Sequence, residues 1–393
     1  MSSADFPDDI IVEILSWLTV NPLVKMKCVS KSWNTLISDP NFIKTHLSRS
    51  ARHSQSYIVS YTNSNKDSED SFIPFSISGL LENLSINLPD DTYYRLIDKD
   101  CCHVVGCCNG LVCLLGHSLT EDNGVDEMWL RIWNPATRTI SNKLGYPRDD
   151  DKIYEWKSWQ FTFGYVNSTD TYKVVALHPG SDMTTKVHVL SFGNNIWKNI
   201  QTIPARLLQL FSCNNNRLYA GVHLDCTINW LAINCNDNPA ILFVIISLNL
   251  ATETYTQFQP PPDSLEELSC TWVCSVTESR ARPGVCVLKD SLCFYHDFEK
   301  TELVIWKMTK FGDENSWTQF LRFSYHSLQM NLKNGFLIFN LYENGDTLVC
   351  ANHRQDLAYL YNWRNNRVVK TGVNQMICWF SVNHYVESLV PTS

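Results

Sequence analysis

Apolar positions along this chain recur first at helical and then at alternating spacing, and the change falls near residue 50. Within 6–47 they come in sets. Ile10, Ile11, Ile14, Leu15 and Leu18 lie three and four apart, behind a Pro7 suited to a first turn and Asp8 and Asp9 suited to its positive end, so a first helix is predicted. Asn21-Pro22 is expected to break it. Leu23, Val24, Met26, Cys28 and Val29 form a second set, Ser30 can cap a third helix carrying Trp33, Leu36 and Ile37, and a short fourth piece starts at Asp39-Pro40. So small a module buries little surface by itself, and apolar residues on more than one face of its first two helices predict a partner.

Residues 48–56 (SRSARHSQS) are polar and read as a linker, its centre over 51–56, between domains at 1–50 and 57–393. Alternation then begins. Strands are expected at 57–61 and 72–77, with a hydrophilic loop between them. From Val104 a unit recurs: a turn pair (Asn109-Gly110, Asn216-Arg217, Asp290-Ser291, Asn334-Gly335) beside an apolar strand. A second strand follows (WLRIWNP, KVHVLSF, LFVIISL, LVIWKM, LAYLYNW), then a third holding Thr139-Ile140, Trp197, Tyr255, Trp317 or Val368. The spacing of roughly 50 to 60 residues means radial repetition, that is, an all-β propeller. About six blades are expected, with strands 57–61 and 380–386 closing the ring.

Composition narrows the partners. Forty Asp and Glu against 32 Lys and Arg leave a net charge of −8, which disfavours nucleic acid. The longest apolar run, around ILFVIISLNL in 240–250, is too short to span a bilayer, and the N-terminus lacks a signal pattern; no membrane partner is expected. Fifteen cysteines without a secretory signal point to reduced thiols in cytoplasm or nucleus.

Chemistry-bearing motifs are sparse. Cys101-Cys102-His103 with Cys107-Cys108 is the densest sulfur group, but its spacing departs from zinc ligation and a strand would send neighbours to opposite faces; buried thiols are the reading, with no metal and no cofactor. Phosphate loop, H-E-x-x-H and G-x-S-x-G are absent, so no catalytic residue is assigned. His178, His188, His223, His296, His326 and His384 are scattered, and the acidic runs at 149–151 and 266–267 read as solvated loops. The stretch 149–159 (DDDKIYEWKSW) interrupts the repeat. Its Tyr154, Trp156 and Trp159 make it the candidate recognition loop, against the alternative that Trp159 opens a core strand.

Phe6-Pro7, Ile10, Glu13-Ile14-Leu15, Leu23, Cys28-Val29-Ser30-Lys31-Ser32-Trp33, Leu36-Ile37-Ser38 and Asp39-Pro40 together closely resemble the F-box of plant F-box proteins. Phe6 stands where that family usually has Leu, and Thr19-Val20-Asn21-Pro22 replaces a common Pro-Val-Lys-Ser. Residues 55–393 resemble the F-box-associated, kelch-like domain through CCNGLVCLLG, IWNPATRTI, FGYVNSTDTYKVVAL, KVHVLSFGNNIWKNI, INWLA and HYVESLVP, although the double glycine of true kelch repeats is missing. The resemblance implies a small all-α F-box module followed by an all-β, kelch-like propeller. It implies a non-catalytic substrate-recognition subunit of an SCF-type ubiquitin ligase, binding a Skp-type adaptor and through it cullin and RING subunits. Adaptor contact falls to Phe6, Pro7, Ile10, Ile14, Leu15, Leu18, Leu23, Val24, Cys28, Val29 and Trp33. Two alternatives stand beside it: an assembly factor outside the cullin complex, and a propeller enzyme of galactose-oxidase-like or sialidase-like fold. The substrate is not named by any residue, nor is a specialised role such as pollen recognition.

Overall fold

The computed structural model describes residues 7–53, 56–62, 70–76, 96–97, 101, 103–119, 126–145, 159–180, 184–207, 221–234, 242–265, 283–299, 301–328, 336–341, 346–352, 358–370 and 377–392. Four helices come first: α1 (Asp8–Leu15), α2 (Val20–Met26), α3 (Lys31–Ile37) and α4 (Pro40–His53). Ser30 caps α3 by accepting from the Trp33 N–H at 3.1 Å, as its position predicted. Two boundaries differ from expectation. Asn21-Pro22 does not end the first helix but lies in the opening turn of α2, where a missing N–H costs nothing. The short fourth piece is instead a helix that runs to His53, capped by the Asp39 carboxylate, which accepts from the N–H groups of Asn41 and Phe42. Most of the expected linker is therefore helix; strand β1 begins at Ser56, and 54–55 lie outside the described residues.

All remaining sheet is antiparallel. The closing sheet contains β1 (Ser56–Thr62), β2 (Asp70–Ser76) and β3 (Leu96–Ile97). Blade one holds β4 (His103–Cys108), β5 (Leu111–Leu119), β6 (Asp126–Asn134), β7 (Thr139–Ile140) and the short β8 (Leu144–Gly145). Blade two is β9 (Gln160–Val166) to β12 (Trp197–Ile203), through β10 (Thr171–Pro179) and β11 (Thr185–Ser191). Blade three holds β13 (Arg206–Leu207), β14 (Val222–Leu224), β15 (Thr227–Asn234), β16 (Leu242–Asn249) and β17 (Thr254–Phe258). Blade four is β18 (Gly284–Leu288), β19 (Ser291–Phe298), β20 (Glu302–Met308) and β21 (Trp317–Ser324). Blade five is β22 (Phe336–Leu341), β23 (Thr347–Asn352), β24 (Ala358–Asn362) and β25 (Arg367–Lys370). The last strand, β26 (Ile377–Tyr385), joins the closing sheet by pairing with β1, Ser56 opposite Tyr385 and Tyr57 opposite His384.

The blade count thus departs from the expected six: five blades are contiguous in sequence, and the further sheet is assembled from both ends of the propeller chain. A closing sheet of this kind removes the free edges that an open stack of blades would expose. The landmarks fall in register. The second-strand segments are β6, β11, β16, β20 and β24, and Thr139-Ile140, Trp197, Tyr255, Trp317 and Val368 all lie in outermost strands. The run ILFVIISLNL is β16, buried from Phe243 to Leu248. Asn109 and Gly110 have φ 52° and 81°, as a tight hairpin requires, but the expected pair Asp290-Ser291 is shifted by one, Lys289 and Asp290 taking the positive φ values; Asn216-Arg217 and Asn334-Gly335 lie outside the described residues.

Apolar cores lie between blades. Val105, Leu130 and Ile132 of blade one pack with Phe161, Phe163 and Val174 of blade two, and equivalent layers join each later pair of contiguous blades. Outer strands are latched by a repeated bond: the Trp197 indole donates to the Gly145 carbonyl at 2.7 Å, and the Trp317 indole to the Gln259 carbonyl at 3.0 Å. A tryptophan opening one outer strand thereby holds the end of the preceding blade.

Candidate functional site

The first site is on α1. Helical spacing places Ile10, Ile14 and Trp17 in one stripe, and these residues are 44, 57 and 58 % exposed; Val29, after α2, is 69 % exposed. Water faces this stripe because the other side of α1 is spent on packing. Leu15, Leu23, Val20, Ile37 and Phe42 are buried together, with Leu18, Val24 and Trp33 half-buried against them. Of the residues expected at an adaptor, Pro7, Ile10, Ile14, Cys28 and Val29 are therefore exposed, whereas Leu15 and Leu23 are core. Phe6 lies outside the described residues.

Trp17 was missed, although its place seven residues after Ile10 was the available signal. It is held by α4. Arg49 bonds the Glu13 carboxylate at 2.6 Å, donates to Ser16 Oγ and lies 4.7 Å over the Trp17 ring, while Trp17 donates to Glu13 Oε1 at 3.3 Å. The Arg49 guanidinium and the Trp17 indole hold the Glu13 carboxyl below the usual carboxylate range. A helix whose sequence reads as a linker thus fixes the orientation of the exposed stripe.

The second site was expected at 149–159. Tyr154 and Trp156 lie outside the described residues. Trp159 does not face a ligand: it is 6 % exposed and packs on His178 at 4.4 Å, His188 at 5.4 Å and Phe161 at 6.3 Å. The reason is its position at the entry to β9, whose side chains are nearly all buried between blades one and two. The connection 146–158 delivers the chain to Gln160, the end of β9 farthest from the turn 167–170, and that turn touches the helical module through a Lys44 to Asp170 ion pair of 2.6 Å.

Burial decides the sulfur-rich segment. Cys101 and Cys113 are buried, Cys107 and Cys108 half-buried, and burial pushes the thiols of Cys107, Cys108 and Cys113 up, that of Cys108 to about 12. Among the described residues no group of three or more His, Cys, Asp or Glu could hold a metal ion, and no helix is long and apolar enough to cross a membrane. His296 is buried, accepting from the Trp306 indole at 3.3 Å, and its pKa is lowered by burial.

Short helices presenting an apolar stripe, set on a propeller, define a two-part chain of F-box and β-propeller type. The chain belongs to the F-box-associated β-propeller family, which it matches over residues 74–392, and an F-box domain is matched over residues 4–45. It is 24 % identical to an F-box/kelch-repeat protein of Arabidopsis thaliana over 330 residues, covering 81 % of this chain and 80 % of that one. It is 23 % identical to the F-box protein CPR1 of the same plant over 338 residues, covering 80 % and 72 %. Among solved structures, Penicillium chrysogenum α-L-arabinanase superposes with a TM-score of 0.39 at 11 % identity, over 65 % of this chain and 75 % of that one, too slight a likeness to carry an argument.

Proposed function

We propose that the chain is the substrate-recognition subunit of an SCF-type ubiquitin ligase, with α1 and the residues around Val29 docking a Skp-type adaptor and the propeller capturing a protein substrate. The observation that carries this reading is the exposed stripe of Ile10, Ile14 and Trp17 on an F-box, an apolar surface that the module core does not cover. In this role the chain supplies no bond-making residue; it raises the concentration of a substrate lysine beside the ubiquitin-charged enzyme. The cytoplasm or nucleus is the compartment where such an assembly operates.

Ile14→Asp with Val29→Asp tests the contact without touching the module core. A charge forced into an apolar contact costs several kcal/mol unless paired, so capture of a Skp-type adaptor is expected to fall at least about tenfold with the thermal midpoint unchanged. Undiminished capture refutes the assignment. Co-purification of cullin with the parent chain distinguishes the ligase from an assembly factor outside it.

A further inference from the structure

The helical module and the propeller share a core. Leu389, past the end of β26, and Ala136, in the turn between β6 and β7, are 3 % and 0 % exposed and pack with Leu15, Val20, Leu23, Ile37 and Phe42 of the helices. His46 of α4 is fully buried at the same seam, its Nε2 2.9 Å from the Leu18 carbonyl, with Glu387 as the neighbouring charge. Lys44 reaches Asp170 of blade two, whose other oxygen accepts from the Tyr165 hydroxyl at 2.5 Å. The chain end is fixed to the propeller independently. Asn134, fully buried, donates from Nδ2 to the carbonyls of Ser388 at 3.0 Å and Val390 at 2.8 Å. Gly110, at φ 81°, has no room for a side chain because Ser388 Oγ and the Val386 carbonyl occupy the space.

We propose that residues 386–391 are a mortar strip that locks the F-box onto blade one, so that the adaptor-docking stripe and the propeller move as one rigid body. Three features make the lock mechanical. The strip has the propeller on one side and the helices on the other, its main-chain carbonyls are pinned by the side-chain amide of the fully buried Asn134, and α4 is followed by β1 after only 54–55. Interfaces within a chain allow domain motion unless they are apolar and continuous with a core, and this one is both. What the lock is for rests on the function proposed above: the reach from adaptor to captured substrate is set by the fold, so only lysines at matching distance are presented.

Single-molecule energy transfer on the full free chain tests this, with dyes on p-acetylphenylalanine at exposed positions 25 and 319. The parent should give one narrow distribution. Leu389→Asp places a charge in the seam and should broaden it at least about twofold, while the propeller keeps its urea midpoint. If Leu389→Asp does not fold, Ala136→Asp attacks the same seam from the propeller side. A broad parent distribution, or a folded seam variant indistinguishable from the parent, overturns the proposal. Because no adaptor is present, failure here is separate from failure of the adaptor reading, which the capture assay reports.

Discussion

Replacing Asn134 separates two kinds of work by one side chain. Its Oδ1 accepts from the N–H groups of Ala136 at 3.0 Å and Thr137 at 3.2 Å, shaping the turn that ends in Arg138 at φ 59°, while Nδ2 holds the chain end. Blade three provides the comparison. Asn249 accepts from Ala251 at 2.9 Å and Thr252 at 3.0 Å, the turn ends in Glu253 at φ 58°, and no bond to the C-terminal strip is involved. With about 0.5 to 1.5 kcal/mol net per hydrogen bond, Asn249→Ala should cost about 1 to 3 kcal/mol and Asn134→Ala about 2 to 6, because two more bonds go and the Ser388 and Val390 carbonyls lose their donor. The assay is urea unfolding followed by tryptophan fluorescence, comparing midpoints at unchanged slope. A difference of at least about 1 kcal/mol between the variants is expected. Equal shifts would refute the reasoning, since the strip would then add nothing to the turn.

Trp159→Ala should lower stability by about 3 to 5 kcal/mol, as truncation of a buried aromatic does, with adaptor capture intact; a normal melting curve would return this residue to the recognition face. His46 is held neutral by burial, which depresses its pKa below 6.5 despite the opposing pull of the Leu18 carbonyl and Glu387. Its contribution is present above pH 6.5 and is lost as pH falls through the depressed value, because protons then favour the open state. Protection factors in α4, with exchange corrected for its intrinsic pH dependence, should accordingly fall on acidification in the parent and less in His46→Gln; an identical pH dependence in both excludes His46 as the cause.

Local signals carried the helices and the blades. The Ser30 cap, the Asn109-Gly110 turn and the alternating third strands need only neighbours in sequence, so they were legible. The repeat also had a cue that went unread: Asn134-Pro-Ala-Thr-Arg-Thr and Asn249-Leu-Ala-Thr-Glu-Thr are the same turn, down to the threonine pairs 137/139 and 252/254 at 2.9 and 2.7 Å. The end of α4 was hidden for a different reason. Its polar sequence reads as solvated chain, and what makes it helix is tertiary: Arg49 on Glu13, His46 under Leu18, Phe42 in the core. Likewise Asn134 and Ser388 lie far apart in sequence, and nothing in either segment announces the other. Trp159 looked like a binding residue because it closes an acidic stretch, yet one position later the buried strand begins.

The left-handed residues have a consequence for how such a protein can change. Asn109, Arg138, Asp170, Asn195, Asp225, Glu253, Asp290 and Asn366 all sit in short hairpin turns, and those at 138 and 170 border the helices. Each such turn fixes its register, so an inserted residue there would flip a strand or unseat the seam. Connections such as 146–158 and 235–241 rejoin their strands at the far ends, where added length costs only a slowly growing closure entropy. Glu299, at φ 48°, marks one more such tight turn, between β19 and β20. Length can therefore change in the longer connections while the seam between the helices and the propeller stays untouched.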